Sequence, residues 1–428
     1  MTTLASVVSC LSDYDPNALP VAQAQAIMRD FVQPVTGVAH VPIRSALDRV
    51  LAEDVLSSID VPAHDNSAMD GFAFASAELS RDGSRDDLVL RVIGTAYAGT
   101  AFDGTPGPGE AVRVMTGAVM PAGCDTVIPQ EFTQGDTASV RFASDAVRAG
   151  DNRRLRGEDL AKGSAALAAG RILRPADIGL LASLGIAEVP VRRRLRVAFF
   201  STGDELRSIG EPLDAGCVYD SNRYTLHGML SRLGVELIDM GVVRDDPAAL
   251  EAAFRTAAEN ADAIITSGGV SVGEADFTKQ MMAQLGDVTF WKIAMRPGRP
   301  MAFGRIASNS HGAFLFGLPG NPVAVMVTFY HFVRGALLRM MGAAETGAPL
   351  VPATSVAPIR KRPGRTEYQR GIAALNGSGQ LEVRLTGQQG SGVLRSMSEA
   401  NCFVVLPHEQ GQVNAGDTVH LLLFDGLL

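Results

Sequence analysis

Five short segments combine glycine or proline with charge in a way that could build a reactive site. They are Ser201-Thr202-Gly203-Asp204-Glu205, Arg244-Asp245-Asp246-Pro247, Ser267-Gly268-Gly269 running on through Ser271 and Gly273 to Asp276, Arg296-Pro297-Gly298-Arg299-Pro300, and Gly317-Leu318-Pro319-Gly320-Asn321-Pro322. Each follows an apolar, strand-like run. Gly268, Gly269 and Gly273 lack a Cβ, so backbone N–H groups there can approach an anion, and the helix that follows favours negative charge at its N-terminus. Pro319-Gly320-Asn321-Pro322 offers the same arrangement, with Pro322 suited to a first helical position. Glu205, Asp245 and Asp276 would repel a phosphate held there. A hard cation resolves the conflict, because Mg²⁺ takes one or two carboxylates together with phosphate oxygens. Asp246, just before Pro247, reads as a helix cap. Lys292, Arg296 and Arg299 stand one strand away and suit a second oxyanion, the two guanidinium groups offering planar forks.

Other chemistries fit less well. No Walker A motif is present, which disfavours a P-loop ATPase. Gly269–Gly273 matches GxSxG between a strand and a helix, so a serine hydrolase is the rival class. It would need a histidine downstream, and His311, His331, His408 and His420 show no evident acidic partner at a strand end. The seven histidines include no HExxH, which argues against zinc hydrolysis. Cysteines at 10, 124, 217 and 402 form no CxxC and read as reduced thiols.

The chain around these segments has 428 residues, 46% hydrophobic and 20% charged, with a net charge of −8. That is a globular composition with room for two to four domains. It carries no broad basic field, so nucleic acid and anionic membrane are poor partners. One tryptophan and six tyrosines make no stacking platform for single strands. No apolar run of membrane-spanning length and no basic signal-like start appear, which suggests a cytoplasmic protein.

The elements that must position the charged loops follow from periodicity. VAQAQAIMRDFVQPV and ALDRVLAEDV read as helices within 20–55. LVLRVIG, EAVRVMTG and DTVIPQEF read as short strands of a β-rich insertion. RPADIGLLASLG reads as a helix ending at Gly185, with a break at VPVRRRLR. From 195 to 342 strands alternate with helices: RVAFFSTG, the helix from Ser221 as N-cap, VELIDMGVV, DPAALEAAFRTAAEN, ADAIITSGG, EADFTKQMMAQLG, VTFWKIAM, AFLFGLPG and the long helix from Pro322. That order implies a doubly wound, mostly parallel α/β sheet, whose ligands bind beyond the carboxyl ends of strands. Short alternating runs after 348 suggest a small β-barrel. The expected division is 1–55 plus 146–190 (mixed, helical, linking), 56–145 (inserted, β-rich), 191–345 (α/β) and 346–428 (barrel).

Three further segments set charge among rigid residues: DVPAHDNSAMDGFAF (60–74), RRLRGED (153–159) and IRKRPGRTEYQRG (359–371). Together with VRVMTGAVMPAGCDTVI, FFSTGDEL, VYDSNR, TSGGVSVGEADFTK, WKIAMRPGRPMAFG and FGLPGNPVAV, in this order over about 45–428, they make the chain resemble the molybdopterin molybdenumtransferase family, the molybdenum insertases that include the C-terminal domain of gephyrin. The resemblance implies an enzyme that takes adenylylated molybdopterin and molybdate, inserts the metal into the dithiolene with Mg²⁺ present, and releases AMP and molybdenum cofactor. It implies an elongated homodimer of four-domain chains. The active cleft would lie between the α/β, molybdopterin-binding domain and the C-terminal domain, with the other subunit's inserted domain nearby. The molybdopterin adenylyltransferase and molybdoenzyme acceptors would be further partners. Carried over by motif, the catalytic positions are Asp70, Thr116, Asp159, Glu205, Asp245 and Asp276, the acids Glu205, Asp245 and Asp276 holding metal. Lys292, Arg296, Arg299, Arg370 and Ser391 join the glycine-rich loops in binding substrate. The family often has Lys where this chain has Arg296 and Arg299, and Ser where it has Ala324. A non-catalytic scaffold of gephyrin type is the remaining alternative.

Overall fold

Alternating residues of the run Arg196–Thr202 are buried on opposite sides: Val197 and Phe199 in one core, Ala198 and Phe200 in another. A strand covered on both faces needs helices on both, and the chain supplies them. The computed structural model describes residues 3–9, 14–80, 87–269, 281–308, 312–344 and 347–426. Its central sheet comprises β1 (Arg196–Thr202), β2 (Glu236–Val243), β3 (Ala263–Ser267), β4 (Gly286–Lys292), β5 (Pro300–Ile306) and β6 (Ala313–Leu318), in the order β2-β1-β3-β6-β5-β4. The first four of that order run parallel, and β5 is the reversed strand, pairing antiparallel with both β6 and β4. Helices α1 (Ser221–Arg232) and α3 (Pro322–Met340) cover one face, and α2 (Pro247–Asn260) covers the other.

Strand β5 went unread because Pro-Gly-Arg-Pro marks a loop. Pro300 opens the strand, where a missing N–H is tolerated, and Met301, Ala302 and Phe303 are buried. Ser221 is not the cap of α1: the Asp220 carboxylate accepts from the Arg223 N–H at 3.1 Å. Asp246 does cap α2, accepting from the Ala249 N–H at 2.9 Å. The helix expected over EADFTKQMMAQLG falls mostly outside the described residues. Helix α3 contains a π turn at Phe329–Val333. By length and composition it is the one described helix able to cross a membrane, yet 67% of it is buried in the protein.

The N-terminal part corrects two readings. Val21–Phe31 is a helix, with Ala24, Ile27, Met28 and Phe31 buried, but ALDRVLAEDV is not. Asp48 adopts φ +60, and Val50 and Leu51 bridge to Ile172 and Val191. The apolar spacing of so short a run serves a packed extended segment as well as a helix. The supposed break at VPVRRRLR holds a strand, Glu188–Arg192, antiparallel to Val38–Pro42. The helix near Gly185 is present as Pro175–Ser183. Between these elements, Gly71–Phe74, Asp87–Ala96, Glu110–Val114, Thr126–Pro129 and Ser139–Ala143 form most of a separate six-stranded sheet.

After α3, strands β7 (Val351–Ser355), β8 (Thr366–Leu375), β9 (Leu381–Leu385), β10 (Cys402–Leu406) and β11 (Thr418–Leu423) pair in the order β8-β9-β7-β11-β10. The β8–β10 pairing closes the barrel. A short strand, Met295–Arg296, joins it in parallel to Thr366–Glu367 and so fastens the barrel to the α/β sheet.

One ion pair secures the start of β1. Asp262 is 7% exposed, and both its oxygens accept from Arg193 at 2.7 Å. Burial alone would raise its carboxyl pKa. The Arg193 side chain and the Arg196 N–H outweigh burial and hold it below the usual value. Its stabilising contribution is therefore present above the unfolded carboxyl pKa and is lost as pH falls through the lower folded one. Asp262→Asn should cost about 2–4 kcal/mol near neutral pH, since one partner of a buried pair is removed while Arg193 keeps some solvent. In urea melts this loss should shrink towards acid pH; a variant as stable as the parent at pH 7 would contradict it.

Candidate active site

The carboxyl ends of β1, β2, β3 and β6 open onto one cleft of about 1020 Å³. Glu205 and Asp245 line it, as do Ser267, Gly268, Gly269 and the run Pro319–Pro322. Loops spread from position 205 to position 322 thus meet at one sheet edge, because parallel strands put their following loops on the same side. Gly268 shows why glycine stands there. Its φ is +92, and a Cβ would sit 2.4 Å from the Thr202 carbonyl oxygen. Ser271, Gly273 and Asp276 lie outside the described residues.

The loops are partly committed to each other. The Gly268 N–H donates to the Leu318 carbonyl at 3.1 Å, and the Val323 N–H donates to the Ser391 carbonyl at 3.0 Å. Those two amides are therefore not spare for an anion. The second bond also carries Ser391 from the barrel to the start of α3, and Gly392 beside it lines the cleft. The barrel thus contributes one wall.

Two residues that the sequence reading did not single out prove central. Asp220 is 2% exposed; one oxygen accepts from the Ser201 hydroxyl at 3.0 Å, and its Oδ2 is buried without a partner. The Asn222 Nδ2 donates to the Ser267 hydroxyl and to the Gly320 carbonyl, both at 2.7 Å, which leaves its Oδ1 buried and unpartnered. Thr202 Oγ1 is likewise unpartnered. All three residues line the cleft. A buried polar atom left unpaired costs about 1–3 kcal/mol, so such a cluster suits a polar occupant. Its oxygen-only character suits a hard cation. The sequence signal is the Asp-Ser-Asn of VYDSNR between a turn and a helix, a pattern that helix capping explains equally well. Among the described residues no three His, Cys, Asp or Glu gather as a complete metal cage. That is compatible with a cation completed by substrate oxygens and water.

The cations lie to one side. Arg296 and Arg299 are exposed, Lys292 is half-buried, and none of them lines the cleft. Arg370 is 1% exposed. Its Nε donates to the Ser396 hydroxyl at 3.0 Å, and one Nη donates to the carbonyls of Gly390 at 3.0 Å and Gln388 at 3.3 Å. Burial, with Arg296 nearby, pushes its pKa down to about 10. The guanidinium thus holds the 388–392 loop against the cleft.

Asp70, Thr116 and Asp159 do not line the cleft. They form a second constellation. The Thr116 N–H and hydroxyl both donate to Asp70 Oδ1 at 2.7 Å, and these bonds lower the Asp70 pKa. Asn66–Ser67 pairs with Arg153–Arg154, Arg156 reaches Asp60 and Asp65, and the Asp159 N–H donates to the Val61 carbonyl. The segments DNSAMDG and RRLRGED, some 90 residues apart, are therefore one surface. Cys124 and Cys402 are buried free thiols and Cys217 is half-buried; Cys10 is outside the described residues.

Comparison with known proteins accords with this arrangement. Residues 19–185 match the family model of the MoeA N-terminal region (domain I and II), 198–339 that of a probable molybdopterin binding domain, and 352–424 that of the MoeA C-terminal region (domain IV). A molybdopterin molybdenumtransferase of Haemophilus influenzae is 42% identical over 412 residues, 96% of this chain and 100% of the relative. One from Nostoc is 36% identical over 89% of this chain and 88% of its own. The crystal structure of a molybdopterin biosynthesis moeA protein from Pyrococcus horikoshii superposes with a TM-score of 0.80 at 28% identity, covering 95% of this chain and all of that one. With three consecutive family regions matched in order and full-length relatives above 30% identity, the chain belongs to the molybdopterin molybdenumtransferase family.

Proposed function

We propose that this protein inserts molybdenum into adenylylated molybdopterin in molybdenum cofactor biosynthesis, consuming molybdate and releasing AMP and the finished cofactor in the cytoplasm. The observation that carries this reading is the cleft itself: glycine-rich loops, acids and unpartnered buried oxygens converge on one sheet edge, walled by the barrel. A hydrolase using Ser271 gains no such support, since the relatives are named transferases. A bare scaffold would have no use for an unpaired, buried Asp220 oxygen.

In this reading Gly269 and the Pro319–Pro322 loop seat the phosphoanhydride. Glu205, Asp245 and Asp276 would hold Mg²⁺, with Asp220 as a buried acid beside them. When bound, Mg²⁺ neutralises charge on the anhydride and on the departing phosphate. Arg296 and Arg299 gather molybdate by paired donors to its oxygens, with Lys292 adding a point charge. Arg370 fixes the loop that carries Ser391. In this reading the chain has four parts, 1–55 plus 146–190, 56–145, 191–345 and 346–428, and two copies make a homodimer. One copy's Asp70–Thr116 surface, with Asp159, then faces the other copy's cleft.

Mixed dimers test that last point. Asp70→Asn and Glu205→Gln subunits, each inactive alone, should recover about a quarter of wild-type AMP release when refolded together, because half the dimers are mixed and each of those has one intact site. No recovery in verified mixed dimers would place Asp70 and Glu205 in the same subunit's site, or Asp70 in none.

A further inference from the structure

Far along α3 from the cleft, a second cavity of about 510 Å³ lies where the Val21–Phe31 helix, the π turn and the barrel meet. Arg29, Arg334 and Arg339 line it, and no carboxylate does among the described residues. Among the described residues Arg29 pairs, at 3.3 Å, with its exposed neighbour Asp30. The Nε of Arg339 is buried with no partner, and so is the Nε2 of His331, which also lines the cavity.

The site is built rather than incidental. The His331 ring stacks on Tyr368 of the barrel with centroids 3.6 Å apart. Its backbone carbonyl, within the π turn, accepts from Gln25 Nε2 at 2.9 Å. Burial pushes the His331 pKa down to about 3, so the ring is neutral, and one tautomer presents Nε2 as a donor. Met28, Val405 and Leu422 supply apolar wall, where a charge-assisted bond is screened less than on open surface. None of these residues lines the catalytic cleft.

We propose that this cavity binds a small phosphate-bearing anion, gripped by Arg29 and Arg339 with His331 as a neutral donor. Guanidinium groups match phosphate oxygens in bidentate fashion. The volume falls within the roughly 300–1,000 Å³ of small-molecule sites and exceeds what inorganic phosphate fills, leaving room for an apolar or ring-shaped remainder. Such a ligand touches the N-terminal helix, α3 and the barrel together, so its binding stabilises their mutual packing by mass action.

Inorganic phosphate serves as the probe, titrated into the full-length protein with the His331 ring followed by ¹⁵N NMR. The signal is assigned by its loss in His331→Gln. Phosphate should shift this resonance saturably. Arg339→Gln and Arg29→Gln should each weaken that binding by at least about fivefold, while AMP release in phosphate-free buffer stays at the parent level. An unshifted His331 resonance, or equal phosphate affinity in both variants, overturns the proposal. So does a shift seen only in Glu345→Gln, which would mean that the chain's own carboxylate fills the cavity.

Discussion

Glu205→Gln should lower AMP release by about 10²–10³-fold, the usual loss when one group that stabilises developing charge is removed. The position explains both the size and the specificity of the effect. Glu205 is exposed at the mouth of the cleft, and its carboxylate lies so near the backbone of Gly203 that a Cβ there would come within 2.5 Å of Oε2. Its surroundings are not a packed core, so unfolding should shift by less than about 0.5 kcal/mol. Asp245→Asn should behave alike. Steady-state AMP release at saturating Mg²⁺ checks this, alongside urea melts. Parent-like turnover in Glu205→Gln would remove that acid from the proposed machinery.

Arg370→Ala should raise the molybdate concentration needed for half-maximal insertion by about tenfold, equivalent to about 1.4 kcal/mol, while adenylylated molybdopterin still binds. The sequence suggested a direct grip on the oxyanion, whereas the geometry gives the residue a positioning role. The guanidinium donates through Nε and one Nη to Ser396, Gly390 and Gln388, and through that loop it sets Ser391 against the Val323 N–H. Removing it strands buried acceptors at about 1–3 kcal/mol each, so the variant should also melt earlier. Arg370→Lys should recover part of the stability and part of the molybdate response. A variant that melts earlier with an unchanged molybdate response would confine Arg370 to the barrel's structure. Loss of pterin binding instead would mean that the loop serves the other substrate.

These contrasts show what was legible in the residues. The strand-to-loop logic of β1, β3 and β6 could be read directly, because buried apolar runs end in Gly, Pro and acid, and parallel topology then brings those ends together. Asp246 could be read as a cap because Pro247 follows it. By contrast, β5 hid behind Pro-Gly-Arg-Pro, and ALDRVLAEDV mimicked a helix because its buried positions suit an extended segment just as well. Asp220 was missed since an acid before a helix has an ordinary explanation; only the unpartnered Oδ2 reveals a second task. Arg370 stands out by its charge, but its burial and its bonds to the 388–390 carbonyls could not be read, because charge in a motif says nothing of burial. The pairing of DNSAMDG with RRLRGED depends on contacts between segments far apart in sequence, which no local pattern encodes.

The central claim is that the cleft couples loss of AMP to metal insertion. The most direct measurement is AMP release by the purified full-length protein supplied with adenylylated molybdopterin, with molybdate and Mg²⁺ each added or withheld. The account predicts AMP in step with active cofactor when both are present, and little of either when EDTA removes Mg²⁺ or molybdate is omitted. Rapid AMP release that ignores molybdate, or cofactor formed undiminished in EDTA, would contradict it.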